Sequence, residues 1–102
     1  MADVTAIICS KKLANTPSIL TDTTGIPENV NRGGWSIQNV GTNPLYVCLG
    51  GTASSTVFHF VLKGGTGDSD GNGAMVAQTT GTVFTGAISV AGTTPKYVVM
   101  EL

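Results

Sequence analysis

The sequence predicts an all-β fold: a small, single-domain β-sandwich, jelly-roll-like, built from short antiparallel strands. Three observations predict it. Eleven Val and fifteen Thr stand among the 102 residues, and β-branched side chains suit a pleated surface. Fourteen Gly and four Pro cut the chain into short pieces, as in sandwiches and barrels. Apolar and polar residues alternate over short runs, the period of a strand with one face buried.

A chain of this length makes one domain, residues 1–102, able to bury roughly two-thirds of the surface its unfolded form exposes. It divides into residues 1–32, a strand followed by an irregular contact segment, and residues 33–102, a hairpin-rich sandwich core. Residues 4–9 (VTAIIC) make the first strand, either an edge strand or an arm lent to a neighbour. Residues 13–32 carry Asn15, Pro17, Asp22, Gly25, Pro27 and Asn29, so only residues 18–20 could pair. A connection of this kind is either a surface loop laid across the sandwich or an extended segment docking on an adjacent subunit.

Residues 33–51 (GGWSIQNVGTNPLYVCLGG) are two strands joined by a Gly-Thr-Asn-Pro turn, expected to form a hairpin. Trp35, Ile37 and Asn39 share one face, and Trp35 is a core anchor whose indole N–H needs a partner. Residues 56–63 (TVFHFVLK) give the strongest strand, with Phe58, Phe60 and Leu62 inward and His59 opposite, beside Val57 and Val61. Residues 64–73 (GGTGDSDGNG) are a loop, and residues 74–78 and 82–84 are two further short strands. Residues 88–98 (ISVAGTTPKYV) then nearly repeat residues 37–47 (IQNVGTNPLYV), predicting a second hairpin. The repeat is either an internal duplication or one turn chemistry used twice.

Placing Glu101 in solvent puts Tyr97 and Val99 outside and Val98, Met100 and Leu102 inside. The same register turns Val47 and Leu49 inward and Tyr46 and Cys48 outward. The outward set Tyr46, Cys48, Tyr97 and Val99 is less polar than a solvated sheet face should be. Those faces lie either against another chain or under the 13–32 segment. Tyr is also enriched at interfaces.

Net charge is −1 and only 11% of residues are charged, against roughly a quarter in an average domain. No basic patch exists to hold a phosphate backbone, which argues against nucleic acid as a partner. A small domain so poor in charge is expected to bury faces against copies of itself or another protein. The N-terminal order, an acid and a short apolar run before Lys11 and Lys12, is the reverse of a signal peptide. No stretch approaches the ~20 apolar residues of a membrane helix, so no membrane partner is expected. Cys9 and Cys48 each sit in a strand pattern, as free buried thiols or as a disulfide; the missing export signal favours the reduced form.

Chemistry is sparse. Asp68, Asp70 and Asn72, followed by Gly73, match the start of a calcium loop, but Thr79 stands where the bidentate Glu belongs and no helices flank it. The loop is therefore a weak metal candidate. His59 is the sole histidine and hence the sole imidazole base for a hydrolase or lyase, with no nucleophile brought to it. Gly64-Gly65-Thr66-Gly67 lacks the Lys-Ser/Thr and the helix that phosphate binding needs. The expectation is a chain without enzymatic activity and without a cofactor.

Arg32 before Trp35-Ser36-Ile37-Gln38-Asn39, the strand Leu45-Tyr46-Val47-Cys48-Leu49-Gly50, the run into Lys63-Gly64-Gly65, Gly86-x-Ile88-x-Val90, and the closing Tyr97-Val98-Val99-Met100-Glu101-Leu102 together resemble the head decoration (cement) proteins of tailed bacteriophages. The resemblance covers roughly residues 31–102, and its motifs are strand-and-turn patterns. It implies a structural protein on the outer surface of the virion capsid, assembled in the host cytoplasm. Such proteins are often homotrimers that bridge capsomers, with the major capsid protein as partner and no catalytic residues. Phage tail, fibre and host-attachment domains share the style and give the alternative. The expected interface residues are Tyr46, Tyr97, Arg32, Cys48 and Val99, with the 13–32 segment.

Overall fold

The computed structural model describes residues 18–102. The strand expected at residues 4–9, Cys9 with its possible pairing to Cys48, and residues 13–17 of the irregular segment lie outside the described residues. The described chain is all-β, with six strands: β1 Trp35–Asn39, β2 Leu45–Leu49, β3 Phe60–Leu62, β4 Met75–Gln78, β5 Ile88–Ala91 and β6 Tyr97–Glu101. They form two three-stranded antiparallel sheets, ordered β4-β1-β6 and β3-β2-β5. Trp35, Ile37 and Tyr97 from the first sheet and Leu45, Val47, Leu62, Ile88 and Val90 from the second fill one shared core. Burying these side chains is the dominant favourable term in holding the sheets together.

The repeated segments are not hairpins. β1 pairs with β4 and β6, and β2 with β3 and β5, so each Gly-Thr turn carries the chain from one sheet to the other. Two such arches nest: β1 of the first pairs with β6 of the second, and β2 with β5. Asn39 explains why pairing stops at the first turn. Its buried amide donates to the carbonyls of Asn43 (2.8 Å) and Leu62 (2.9 Å), while its oxygen accepts the Gly41 N–H (2.9 Å). The side chain thus satisfies backbone groups that the turn leaves without ladder partners.

The arches differ by one residue, and that corrects the faces assigned to β6. The step from the last inward residue of one strand to the first of the next is longer by one in the second arch (Val90 to Tyr97) than in the first (Asn39 to Leu45). With a side-chain period of two, one residue exchanges the faces. Tyr97 is fully buried, Val99 packs against the core, and Met100 is exposed. Glu101 is not solvated as expected: it shares the inner face with Tyr97 and pairs with Arg32.

Two expected strands are shorter or missing. The run at 56–63 is a strand only over Phe60–Leu62. Its first residues are drawn into a turn, where Ser54 and Val57 exchange backbone hydrogen bonds and the Ser54 hydroxyl accepts the Val57 N–H at 3.0 Å. Phe58 is consequently 42% exposed rather than inward. Residues 82–84 form no strand. The Gln78 side chain replaces the ladder there, donating to the Thr82 carbonyl (3.1 Å) and accepting the Phe84 N–H (2.8 Å) and the Trp35 indole N–H (3.0 Å).

Residues 18–32 lie on the domain's own edge. Leu20 exchanges both backbone hydrogen bonds with Tyr97, and Ile26 with Ile88, so this stretch crosses from the β6 edge to the β5 edge. Gly25 makes the crossing possible: its φ is +66° and a Cβ there would strike the Ile88 carbonyl.

Candidate functional site

Of the five residues expected at an interface, the fold buries Arg32, Cys48 and Tyr97, leaves Tyr46 and Val99 part-exposed, and packs Val99 against the core. The Arg32 side chain is fully buried. Its Nε donates to Glu101 Oε2 at 2.8 Å, and its terminal nitrogens donate to the carbonyls of Phe84 (2.7 Å), Gly86 (3.1 Å) and Pro27 (2.7 Å). This fork ties two separate stretches, residues 27–32 and 84–86, to the end of β6, so Arg32 is an internal staple, correcting its expected exposure. Tyr97 is buried with its hydroxyl donating to Asp22 Oδ1 (2.9 Å) and accepting the Gly25 N–H (3.1 Å). Burial, then the hydrogen bond to Asp22, push its phenol up to about 12.

Cys48 does point away from the core, as expected, but its own chain covers it. The Ser89 hydroxyl donates to the Gly51 carbonyl (3.0 Å) and accepts the Ala53 N–H (2.8 Å), folding residues 51–53 over that end of the sheet. Cys48 is therefore buried, its Sγ 3.7 Å from the Gly50 carbonyl oxygen. Tyr46, part-exposed and outside the core, is the one expected contact residue left on an outer sheet face.

Around Tyr46 the structure assembles an apolar patch that adds Phe58, expected inward, to the outward Tyr46, Val57 and Val61. Phe58 lies against Tyr46 with ring centroids 5.2 Å apart. Val61, 47% exposed, pairs with Tyr46 across the sheet, and Val57 is exposed nearby in sequence. Aromatic neighbours at this spacing add to the apolar area they cover. His59 sits at this border and serves the backbone. Its N–H donates to the Val47 carbonyl (2.7 Å) and its Nδ1 accepts the Leu49 N–H (2.9 Å), extending the β2 edge past β3.

The outer face of the other sheet is uncharged too. Register places Ser36, Gln38, Met75, Ala77, Val98 and Met100 there. Met75 is 57% exposed and Met100 38%. None of the six is charged, and β4 contributes no charge to its edge, where edge strands usually carry one. Sequence reasoning missed Phe58, Met75 and Met100. A visible signal for the first was the apolar run on both faces of residues 57–61, more than one buried face needs.

The acidic loop is organised around Asp70. Its carboxylate accepts the N–H groups of Thr66 (2.9 Å), Gly67 (2.9 Å) and Asn72 (2.8 Å) and the Thr66 hydroxyl (2.7 Å). These donors hold its pKa well below the usual carboxylate range, with the Asn72 N–H contributing most. Oxygens occupied by N–H donors cannot also face a cation. Asp68 instead forms an ion pair with Lys96, which joins the loop to the second arch. Among the described residues no three His, Cys, Asp or Glu side chains converge, and no helix is long and apolar enough to cross a membrane.

Fold and surface together describe an all-β domain with two uncharged outer sheet faces. Comparison with protein-family models, with curated proteins and with solved structures finds no match to this chain.

Proposed function

We propose that this chain is a non-enzymatic structural subunit that assembles through its outer sheet faces, as a head decoration protein of a tailed phage does. In this reading it is a homo-oligomer, a trimer, seated on the outer capsid surface against the major capsid protein and bridging capsomers. The observation that carries the proposal is the uncharged character of both outer faces: Tyr46, Phe58 and Val61 on one sheet, Met75 and Met100 on the other. Exposed apolar surface of this kind on a chain so poor in charge is better used in contact than in water. The nested pairing of β1 with β6 and β2 with β5 supports a jelly-roll-like description.

Mechanically the role is linkage. A protein that binds only the assembled shell stabilises it by mass action, without any chemical step. The test is the solution mass of the purified protein, followed by co-sedimentation with capsids. A trimer that sediments with shells supports the proposal. A monomer that binds no shell refutes it, and labelling at the tail of intact particles would move the protein to the fibre or host-attachment alternative.

A further inference from the structure

The loop at residues 64–73 holds two dipeptides prone to cyclisation, Asp70-Gly71 and Asn72-Gly73, and the structure treats them differently. The Asp70 carboxylate is fixed by its four donors. The Asn72 side chain is exposed, and its one polar contact is a long one, 3.4 Å from Nδ2 to Asp70 Oδ2. Among the described residues no hydrogen bond engages the Gly73 N–H. Gly73 carries no Cβ to hinder an approach to its nitrogen.

We propose that Asn72 is a site of spontaneous, enzyme-independent deamidation, giving an isoaspartyl or aspartyl residue at the tip of this loop. The Gly73 nitrogen, losing its proton to solvent hydroxide, attacks Asn72 Cγ and forms the ring C–N bond. The Cγ–Nδ2 bond breaks and, with a proton from water, ammonia leaves. Water then opens the cyclic imide at either carbonyl. Opening at the backbone carbonyl leaves the chain running through the side-chain carbon, one methylene longer, with a new carboxylate beside Asp70.

The other described asparagines lack this combination. Asn39 is buried with its amide in three hydrogen bonds. Asn43 precedes Pro44, whose nitrogen has no proton to lose. The nitrogen following Asn31 belongs to Arg32 and donates to the Asn29 carbonyl at 3.0 Å. Asn29 precedes the β-branched Val30, and its side-chain oxygen accepts the Asn31 N–H at 3.0 Å. Asp70 is held back because an ionised carboxylate is a poor electrophile, and its donors favour that form.

The position gives the reaction a structural consequence. The Gly73 backbone lies against the Asn39 carbonyl, where an added Cβ would collide. The same loop also donates from Gly65 to Gly41 and from Ser69 to Val40, so it clasps the first arch. The test is to age the purified full chain at mildly alkaline pH and body temperature, then map peptides by mass and assay isoaspartate by enzymatic methylation. The expected result is amide-to-acid conversion at Asn72 ahead of every other asparagine, with isoaspartate appearing in parallel, and neither signal at that position in Asn72→Gln. An intact Asn72 in the folded chain, when the same chain in urea converts, would overturn the proposal, as would earlier conversion at another asparagine.

Discussion

The hydroxyl of Tyr97 donates a 2.9 Å hydrogen bond to Asp22 across 75 residues of sequence. It also accepts the Gly25 N–H at 3.1 Å. A tyrosine near the end of the chain therefore holds the stretch that leads into the sandwich, and the two backbone bonds between Tyr97 and Leu20 lie beside it.

Removing that hydroxyl isolates its contribution. Tyr97→Phe keeps the ring in the core and leaves the buried Gly25 N–H without its acceptor. The expected cost is ~1 kcal/mol, read as a lower urea midpoint with unchanged slope. The phenol also predicts an alkaline signature. Its folded pKa stands near 12 against an ordinary 10.0, so its stabilising effect is full below pH 10 and is lost as pH rises through the folded value. Ultraviolet titration of Tyr46→Phe, which leaves Tyr97 as the sole tyrosine, should show a midpoint close to 12; a midpoint at 10 would contradict the buried placement.

Arg32 makes a harsher prediction. Arg32→Ala strands the Glu101 carboxylate and three backbone carbonyls, and breaking a buried pair from one side costs about 3–5 kcal/mol. Arg32→Lys should recover little, because a single ammonium cannot reproduce a fork that meets Glu101, Phe84, Gly86 and Pro27 together. Thermal unfolding of the two variants checks this: a lysine variant as stable as the wild type would show that charge alone suffices.

Asn39 tests the origin of the arch. Asn39→Ala leaves the Asn43 and Leu62 carbonyls and the Gly41 N–H unpaired, for an expected loss of ~1–3 kcal/mol. The counterpart of Asn39 in the second arch is Val90, which makes no such bonds, so Val90→Ala should act through lost packing alone. Amide exchange would separate the two: Gly41 should lose protection in Asn39→Ala and keep it in Val90→Ala.

The outer faces predict assembly without touching the fold. Phe58→Asp and Met100→Asp put a charge on opposite sheets at exposed positions. Each should leave the domain folded, Phe58→Asp at a modest cost from its lost contact with Tyr46, and reduce the oligomer mass in solution. Tyr97→Asp, in contrast, should unfold the domain, since its side chain has no access to water. Unchanged mass in both face variants would mean that neither face is a contact.

Much of this was legible along the chain. The positions of β1, β2, β5 and β6, the inward side of β1, the need of Trp35 for a hydrogen-bond partner, and the loop at residues 64–73 follow from alternation, Gly and Pro. The candidate surface was less legible. Tyr46 is legible, but placing Glu101 in solvent turns Tyr97 and Val99 outward, and nothing along the chain marks Arg32 as the buried partner of Glu101. A carboxylate can occupy an inner-face position when a buried guanidinium meets it there, and sequence spacing of 69 residues does not reveal that pair.

By itself the sequence determined where β1, β2, β5 and β6 lie and which residue types alternate in them, because steric and turn preferences act over a few neighbouring residues. Tertiary structure alone decided which strands pair. A Gly-Thr turn between two amphipathic strands is compatible with a hairpin or with an arch, since the local pattern is the same whether the second strand lies beside the first or across the core. The choice fell to long-range terms: the Asn39 amide closing the first turn, Arg32 drawing in Glu101, and the one-residue difference that turned Tyr97 into the core.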